Sequence, residues 1–142
     1  MSSEDNKAIV RLTAEEVWSK GNLAIVDEIY APNFVCHFIV GPDWRGREGV
    51  RQQVTMHRTS FPDWHEHIED IIGEGDKVVI RFTSRGTHKG EFQGIPPTGK
   101  QVNIAEVAIY RIADGKIVEQ WGFPDIMGLL RQLSAGPPGE PD

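Results

Sequence analysis

The first half of the chain places apolar residues at the spacing of a helix face. Between Ser3 and Trp18 they recur at steps of three and four residues, which predicts an amphipathic helix. Ser3 is expected to cap this helix at its N-terminus, and Gly21 is expected to end it. Asn22 is predicted to begin a short second helix, and a third helix is predicted over residues 46–58. This part of the chain is therefore expected to be mainly helical.

The second half changes to an alternation of apolar and polar residues, which is typical of strands with one buried face. One strand is predicted in the first half of the chain, at residues 34–40. The strands predicted in the second half are residues 64–72, 77–88, 100–112 and 116–123. Asp114 and Gly115 favour a tight hairpin turn between the last two strands. A short helix over residues 125–133 is predicted to follow them.

Helices followed by an antiparallel meander predict an α+β fold, with the helices on one face of a curved sheet. The predicted strands are long, and a long twisted sheet that wraps around helices forms a cone. Such a cone has an open mouth and an interior. This shape favours a small-molecule pocket inside the fold.

Composition and charge narrow the class of protein. The chain has 142 residues, and 15 Lys and Arg against 21 Asp and Glu give a net charge of −6. This length predicts one domain, residues 1–133, followed by a solvated tail at 134–142 that is rich in proline and glycine. The acidic balance argues against a nucleic-acid-binding surface, and no apolar run approaches the roughly 20 residues of a membrane span. The single cysteine, Cys36, allows no internal disulfide, so a cytoplasmic protein is expected.

Four segments of the chain carry a resemblance to a known family. They are FPDWH (61–65), GTHKGEFQGIPPTGK (86–100), RIADGKIVEQW (111–121) and DIMGLLRQL (125–133). Together they resemble the SnoaL-like polyketide cyclases of the NTF2-like superfamily, over nearly the whole chain. The resemblance implies an NTF2-like cone, in which a curved, mostly antiparallel β-sheet wraps around the N-terminal helices and encloses a pocket.

The same resemblance implies a function in secondary metabolism, such as antibiotic biosynthesis. Family members close rings by aldol-type acid/base chemistry without a metal or an organic cofactor. The expected substrate is therefore a small hydrophobic or polycyclic, polyketide-like carbonyl compound, which the protein would cyclise or isomerise. Two alternatives stay open, a hydroxylase-like member of the family and a non-catalytic NTF2-like module for ligand binding or dimerisation. The family also implies a homodimer through the outer face of the sheet, for which the candidate residues are Val79, Arg81, Val107 and Ile109.

The chain departs from the family at the acid/base positions. The aspartate of the characterised cyclases falls on Gly122, and a partnering histidine falls on Ala108. If these two positions face the pocket, strand alternation turns Ile104, Glu106, Tyr110, Val118 and Gln120 inward as well. Desolvation would then raise the pKa of Glu106 and suit this residue to proton transfer, which makes it the candidate acid/base. A register slip of one residue would instead place it in solvent or at an interface.

The other polar candidates lie on predicted strands and at the last helix. Gln120 and His37 are predicted to orient the substrate or polarise its carbonyl group, although His37 could equally be a half-exposed strand residue. Asp125 is either the N-cap of the last helix or a carboxylate at the pocket mouth. His65 and His67 share one strand face, but zinc needs at least three protein ligands, so no metal site is predicted.

Apolar and aromatic residues of the predicted cone are candidates for the pocket wall. Besides Gly122 and Asp125, the predicted lining is Trp18, Phe38, Met56, Phe61, Trp64, Phe82, Ile104 and Tyr110. Aromatic residues at helical or strand spacing are often ordinary core residues, so both roles stay open for them.

Overall fold

A computed structural model describes residues 2–39 and 41–134 of the chain. The helices in this part are α1 (Ser3–Leu12), α2 (Val26–Ile29), α3 (Gly46–Ser60) and α4 (Ile126–Ser134). The strands are β1 (Tyr30–Phe38), β2 (Trp44–Arg45), β3 (His65–Glu74), β4 (Lys77–Thr87), β5 (Gln101–Ala113) and β6 (Lys116–Pro124). Val40, at the end of the first predicted strand, and residues 135–142 of the predicted tail lie outside the described residues. Ser134 belongs to α4 rather than to the tail.

The six strands form one sheet in the order β2-β1-β6-β5-β4-β3. β1 pairs with β6 in parallel, and the other neighbours in this order pair antiparallel. α1 packs against β3, and α3 packs against β1, so the helices cover one face of the sheet. This arrangement confirms the predicted α+β cone with its mostly antiparallel sheet.

The N-terminal helix begins one residue earlier than its pattern predicted. Ser2, not Ser3, is the N-cap, because its hydroxyl accepts a hydrogen bond from the Asp5 N–H at 3.1 Å. The Asp5 carboxylate in turn accepts one from the Ser2 N–H at 3.2 Å, which completes a reciprocal cap. Asn22 caps the next helical turn as predicted, and its side chain accepts a hydrogen bond from the Ala24 N–H at 3.3 Å.

Alternation along the strands decides which side chains face the helices. In β5, the even-numbered residues from 102 to 112 face inward, and all are buried except the half-buried Glu106. Gln120 of β6 is buried on the same side. A bulge in the β5–β6 ladder shifts the alternation nearer the hairpin, so Ile117 rather than Val118 is buried there.

Two apolar clusters fill the interior of the fold. The larger lies between the helices and the sheet and includes Phe34, Ile80 and Phe82. The smaller lies beside α4 and includes Trp64 and Leu129. Residues of both clusters also line a hollow in the cone.

Candidate active site

The hollow is a cavity of about 520 Å³, a size typical of small-molecule sites. Apolar side chains form most of its wall, namely Trp18, Phe38, Trp44, Met56, Trp64, Phe82 and Ile104. Polar side chains line it from α3, from three strands and from the loop after β4, namely Gln53, Thr55, His57, Thr59, Ser60, Glu66, Glu91, Gln93, Glu106 and Gln120. The cavity therefore combines an apolar wall with several hydrogen-bonding groups.

Nine of the predicted site residues line this cavity. They are Trp18, Phe38, Met56, Trp64, Phe82, Ile104, Glu106, Gln120 and Gly122. The inward face predicted for β5 and β6 is therefore the face that forms the cavity wall. His37, Phe61, Tyr110 and Asp125 were also predicted to line the pocket or its mouth, and the structure places these four elsewhere.

The half-buried guanidinium group of Arg58 binds the backbone carbonyls of two of the tryptophans. Trp18 ends a π-helical stretch, Thr13–Trp18, that continues α1. Arg58 Nη1 donates to the carbonyl of Trp18 at 2.9 Å and to the carbonyl of Trp64 at 3.1 Å. The end of the helix and the start of β3 are thereby joined at the cavity wall.

Phe61 and Tyr110 lie behind the wall rather than in it. Phe61 is fully buried, and its ring centroid lies 5.3 Å from those of both His57 and Trp64. Tyr110 is buried in the larger core, where its hydroxyl lies 3.4 Å from Thr13 Oγ1. Strand alternation predicted the correct face of the sheet for Tyr110. It does not tell whether an inward-facing side chain lines the cavity or lies in the core behind it.

Asp125 is an N-cap and does not line the cavity. Its Oδ1 accepts a hydrogen bond from the Gly128 N–H at 2.9 Å in the first turn of α4. A Cβ at Gly128 would overlap the Asp125 carboxylate, so glycine allows this close approach. Of the two roles predicted for Asp125, the structure shows the N-cap and not the carboxylate at the pocket mouth.

His37 faces away from the cavity because its neighbours Phe34 and Cys36 face the core. Its Nε2 lies 2.8 Å from Glu119 Oε2, and its Nδ1 lies 3.1 Å from Asp43 Oδ1. The hydrogen bond with Glu119 is the main cause that raises the pKa of His37. The imidazole therefore belongs to an ionic cluster on the outer side of the sheet, and it cannot orient a substrate in the cavity.

Glu106 has the surroundings that its predicted role requires. It projects from β5 into the cavity, and the Ser84 hydroxyl donates a hydrogen bond to its Oε2 at 2.5 Å. Burial raises the pKa of this carboxyl group to about 7, and the Ser84 bond opposes part of the rise. A carboxyl group in this state exchanges protons near neutral pH, as a general acid/base must.

Glu66 is a second carboxyl group in the cavity, and the sequence interpretation missed it. Its Oε2 accepts a hydrogen bond from Trp64 Nε1 at 3.0 Å. Burial, and then the nearby charge of Glu106, raise the pKa of Glu66 well above its ordinary value. Strand alternation could have identified Glu66, because His65 and His67 were predicted to share one face of this strand. Glu66 lies between them and therefore faces the opposite side.

His57 is a neutral hydrogen-bonding group of the wall. Its ring packs edge-on against Trp64, with centroids 4.1 Å apart. Burial, and then the charge of Arg58, lower the pKa of His57 to about 4. The imidazole is therefore uncharged near neutral pH and does not pair ionically with the carboxyl groups of the cavity.

Phe38 fills the space next to Gly122, the position on which the resemblance places the family aspartate. Gly122 of β6 lies opposite Phe38 of β1 in the parallel ladder, and a Cβ on Gly122 would overlap the phenyl ring. Ala108, the position on which the resemblance places the family histidine, pairs with Gly122 on the other side. A side chain at position 122 and the observed ring position of Phe38 therefore exclude each other.

Gly122→Ala is expected to lower the free energy of unfolding by about 1–3 kcal/mol, the usual cost of overpacking. The new methyl group displaces the Phe38 ring, which is part of the cavity wall. In a Phe38→Ala background the same change is expected to cost little, because the overlapping ring is gone. Urea denaturation of the four proteins in this double-mutant cycle measures the coupling. Equal costs in both backgrounds would contradict this account.

His65 and His67 are exposed on one face of β3. The nearest carboxylate oxygen of Glu69 lies 3.8 Å from His67 Nε2. Among residues 2–39 and 41–134, no group of three or more His, Cys, Asp or Glu side chains is placed to hold a metal ion. Within the same residues, no helix has the length and apolar character needed to cross a membrane.

The sequence is similar to enzymes of known activity. The model of the SnoaL-like polyketide cyclase family matches residues 8–133. The aklanonic acid methyl ester cyclase DnrD of Streptomyces peucetius is 34% identical over 102 residues, which are 70% of this chain. The nogalonic acid methyl ester cyclase of Streptomyces nogalater is 42% identical over 90 residues, which are 62% of this chain. The chain spans 66% of the length of each of these two relatives.

Solved structures share the fold over nearly the whole chain. A proposed SnoaL-like polyketide cyclase from Jannaschia sp. CCS1 has a TM-score of 0.88 and 27% identity, with 95% of each chain covered. AclR, a proposed hydroxylase from Streptomyces galilaeus, has a TM-score of 0.82 and 28% identity, with 96% of this chain and 87% of AclR covered. The family match, the curated relatives and the shared cone agree, and this chain belongs to the SnoaL-like polyketide cyclase family.

Proposed function

We propose that this protein catalyses an aldol-type ring closure, or a related isomerisation, of a polyketide-like carbonyl compound, with Glu106 as the acid/base and without a cofactor. The observation that carries the proposal is the Glu106 carboxyl group in an apolar-walled cavity, with a pKa of about 7. The names of the two cyclase relatives support the substrate class.

In the proposed reaction, the Glu106 carboxylate removes a proton from the carbon next to a substrate carbonyl. The C–H bonding electrons form an enolate, which attacks a second carbonyl carbon of the same molecule and closes the ring. Gln120 reaches the cavity from β6, and its amide orients the substrate by hydrogen bonding. The apolar wall excludes water, which strengthens these interactions.

A hydroxylase-like activity is the runner-up. The structural similarity to AclR supports it, and so does the glycine at position 122, on which the resemblance places the family aspartate. The two reactions differ in product mass. An aldol closure gives an isomer of the substrate, whereas hydroxylation adds one oxygen atom. A non-catalytic module would bind the compound and release it unchanged.

Incubation of the protein with aklanonic acid methyl ester and with nogalonic acid methyl ester tests the proposal. These are the compounds in the names of the two cyclase relatives. Mass spectrometry with chromatography is expected to detect an isomeric product that depends on the protein. Binding of either compound without an isomeric product would refute the cyclase proposal, and a product heavier by one oxygen atom would favour the hydroxylase.

The proposal includes a homodimer through the outer face of the sheet. Ile72, Val79, Ile109 and Trp121 lie in register across β3, β4, β5 and β6. Ile72 is 63% exposed, and in the next row Phe123 is 42% exposed. Such a row of apolar side chains on an open sheet face is typical of an interface. It includes two of the four predicted positions, Val79 and Ile109.

Ile109→Glu is expected to convert the dimer into a monomer, because it places a charge in the middle of the apolar row. A change at the centre of an interface costs about 2 kcal/mol or more of association free energy. Light scattering coupled to size-exclusion chromatography measures the mass. Met127→Glu is the matched control, because Met127 is 76% exposed on α4, outside the sheet. A wild-type protein that is already monomeric at high concentration would refute this part of the proposal.

A further inference from the structure

We propose that Glu66 is a second catalytic residue, the general acid that protonates the substrate carbonyl oxygen while Glu106 accepts the carbon-bound proton. This inference rests on the proposed acid/base function of the cavity. It assigns a chemical step to a residue that lies outside the positions where the family resemblance places acid/base groups.

The two carboxyl groups reach the same cavity from different strands. Glu66 lies on β3 directly opposite Ser84 of β4, and the Ser84 hydroxyl donates to Glu106 of β5. Ser84 is fully buried, so it fixes the Glu106 carboxyl group on the inner face of the sheet. The inner faces of three neighbouring strands thus bring two acids together around one serine.

Each carboxyl group uses one oxygen to bind the protein. Glu66 Oε2 accepts from Trp64 Nε1, and Glu106 Oε2 accepts from the Ser84 hydroxyl. Within the described residues, no hydrogen bond engages the second oxygen of either group. These second oxygens are the atoms with which the pair can transfer protons to and from a substrate.

The charges in the cavity indicate which carboxyl group is the general acid and which is the base. Two carboxylates in one apolar cavity repel each other, so the pair retains a proton when the solvent is neutral. The structure favours Glu66 as the holder of this proton, because burial and the charge of Glu106 both raise its pKa. Burial raises the pKa of Glu106 to about 7, so this group supplies a carboxylate near neutral pH that acts as the base.

The proton balance closes within the pair. Glu106 gains the proton of the broken C–H bond, and the C–C bond forms from the resulting enolate. Glu66 gives its proton to the carbonyl oxygen that becomes the hydroxyl of the product. The pair ends with one proton, as it began, and transfer of this proton from Glu106 to Glu66 restores the starting state without an oxidant, a reductant or a second substrate.

The first test uses no substrate and therefore stands apart from the proposed function. Carboxyl-detected NMR of protein with isotope-labelled glutamate follows the titration of each group. Two glutamates of the wild-type protein are expected to titrate at or above neutral pH. Glu106→Gln is expected to lower the pKa of Glu66, because it removes the neighbouring charge. An unchanged pKa of Glu66 in this variant would overturn the inference.

The second test measures turnover of whichever methyl ester the wild-type protein converts. Glu66→Gln keeps an acceptor for Trp64 Nε1 but cannot donate a carboxyl proton, so kcat is expected to fall about 10²- to 10⁴-fold. The loss of rate at high pH, where Glu66 ionises, is expected to disappear in this variant, whereas the rise through the pKa of Glu106 stays. A purely structural role of Glu66 would leave the shape of this pH profile unchanged.

Glu74→Gln is the matched control, because Glu74 is exposed at the end of the same strand. It is expected to leave kcat and the pH profile as they are in the wild type. A fully active Glu66→Gln protein would refute the role of Glu66 while the function of Glu106 stands. A wild-type protein that converts no compound would refute the proposed function, and the titration of Glu66 would then decide only whether the two acids share a proton.

Discussion

Glu106→Gln is expected to lower kcat of the ring closure about 10²- to 10⁴-fold, the usual contribution of a general base. The glutamine amide keeps the shape of the side chain and still accepts a hydrogen bond from Ser84. It cannot remove a proton from carbon, because the amide oxygen is a much weaker base than a carboxylate. Substrate affinity is expected to stay within a few-fold of the wild type, since the cavity wall is unchanged.

Steady-state kinetics and a binding titration separate these two effects. Glu74→Gln again serves as the control, since it removes an exposed carboxylate of the same type. Wild-type turnover by the Glu106→Gln protein would exclude Glu106 as the base. A loss of affinity with an unchanged kcat would assign Glu106 to substrate binding instead.

The second large effect concerns stability as a function of pH. Burial raises the pKa of Glu106 from an ordinary 4.5 to about 7, so the folded protein retains a proton that the unfolded chain releases between these pH values. Stability is therefore expected to fall as the pH rises through this window. A pKa rise of this size corresponds to about 3 kcal/mol at pH values above it. Glu66 also has a raised pKa, because it is buried, and it acts in the same direction.

Urea denaturation at about pH 5 and about pH 8 measures this effect in the wild type and in Glu106→Gln. The variant is expected to lose about 3 kcal/mol less than the wild type between the two pH values. His37 also has a raised pKa and also favours folding at low pH, but it is present in both proteins and cancels in the comparison. If stability depended on pH in the same way in both proteins, the pKa of Glu106 would not be raised in the folded protein, and this prediction would be wrong.

Much of the fold was predictable from local patterns. The period of two gave the five long strands to within a few residues, and Asp114 and Gly115 form the turn between β5 and β6 as predicted. Register was also predictable on β5, because Glu106 faces inward together with its even-numbered neighbours. The error at Val118 has a physical cause, since a bulge shifts the alternation and no turn or proline in the sequence marks it.

The site was predictable only where strand alternation decides it. Alternation placed Glu106, Gln120 and Gly122 in the cavity wall. It could not separate the wall from the core behind it, so Tyr110 was assigned to the cavity although it lies deeper. It also left the face of His37 open, because that face depends on which side of β1 packs under the helices.

The amino-acid sequence alone determined the secondary structure, the α+β class, the family and the inward face of the long strands. These depend on periodicities and motifs within short stretches of chain. Only the tertiary structure decided that Phe38 covers Gly122, that Glu66 shares a cavity with Glu106, and that His37 pairs with Glu119 instead of a substrate. Each of these contacts joins residues far apart in the chain, and the burial that sets the pKa of a carboxyl group exists only after the strands have paired.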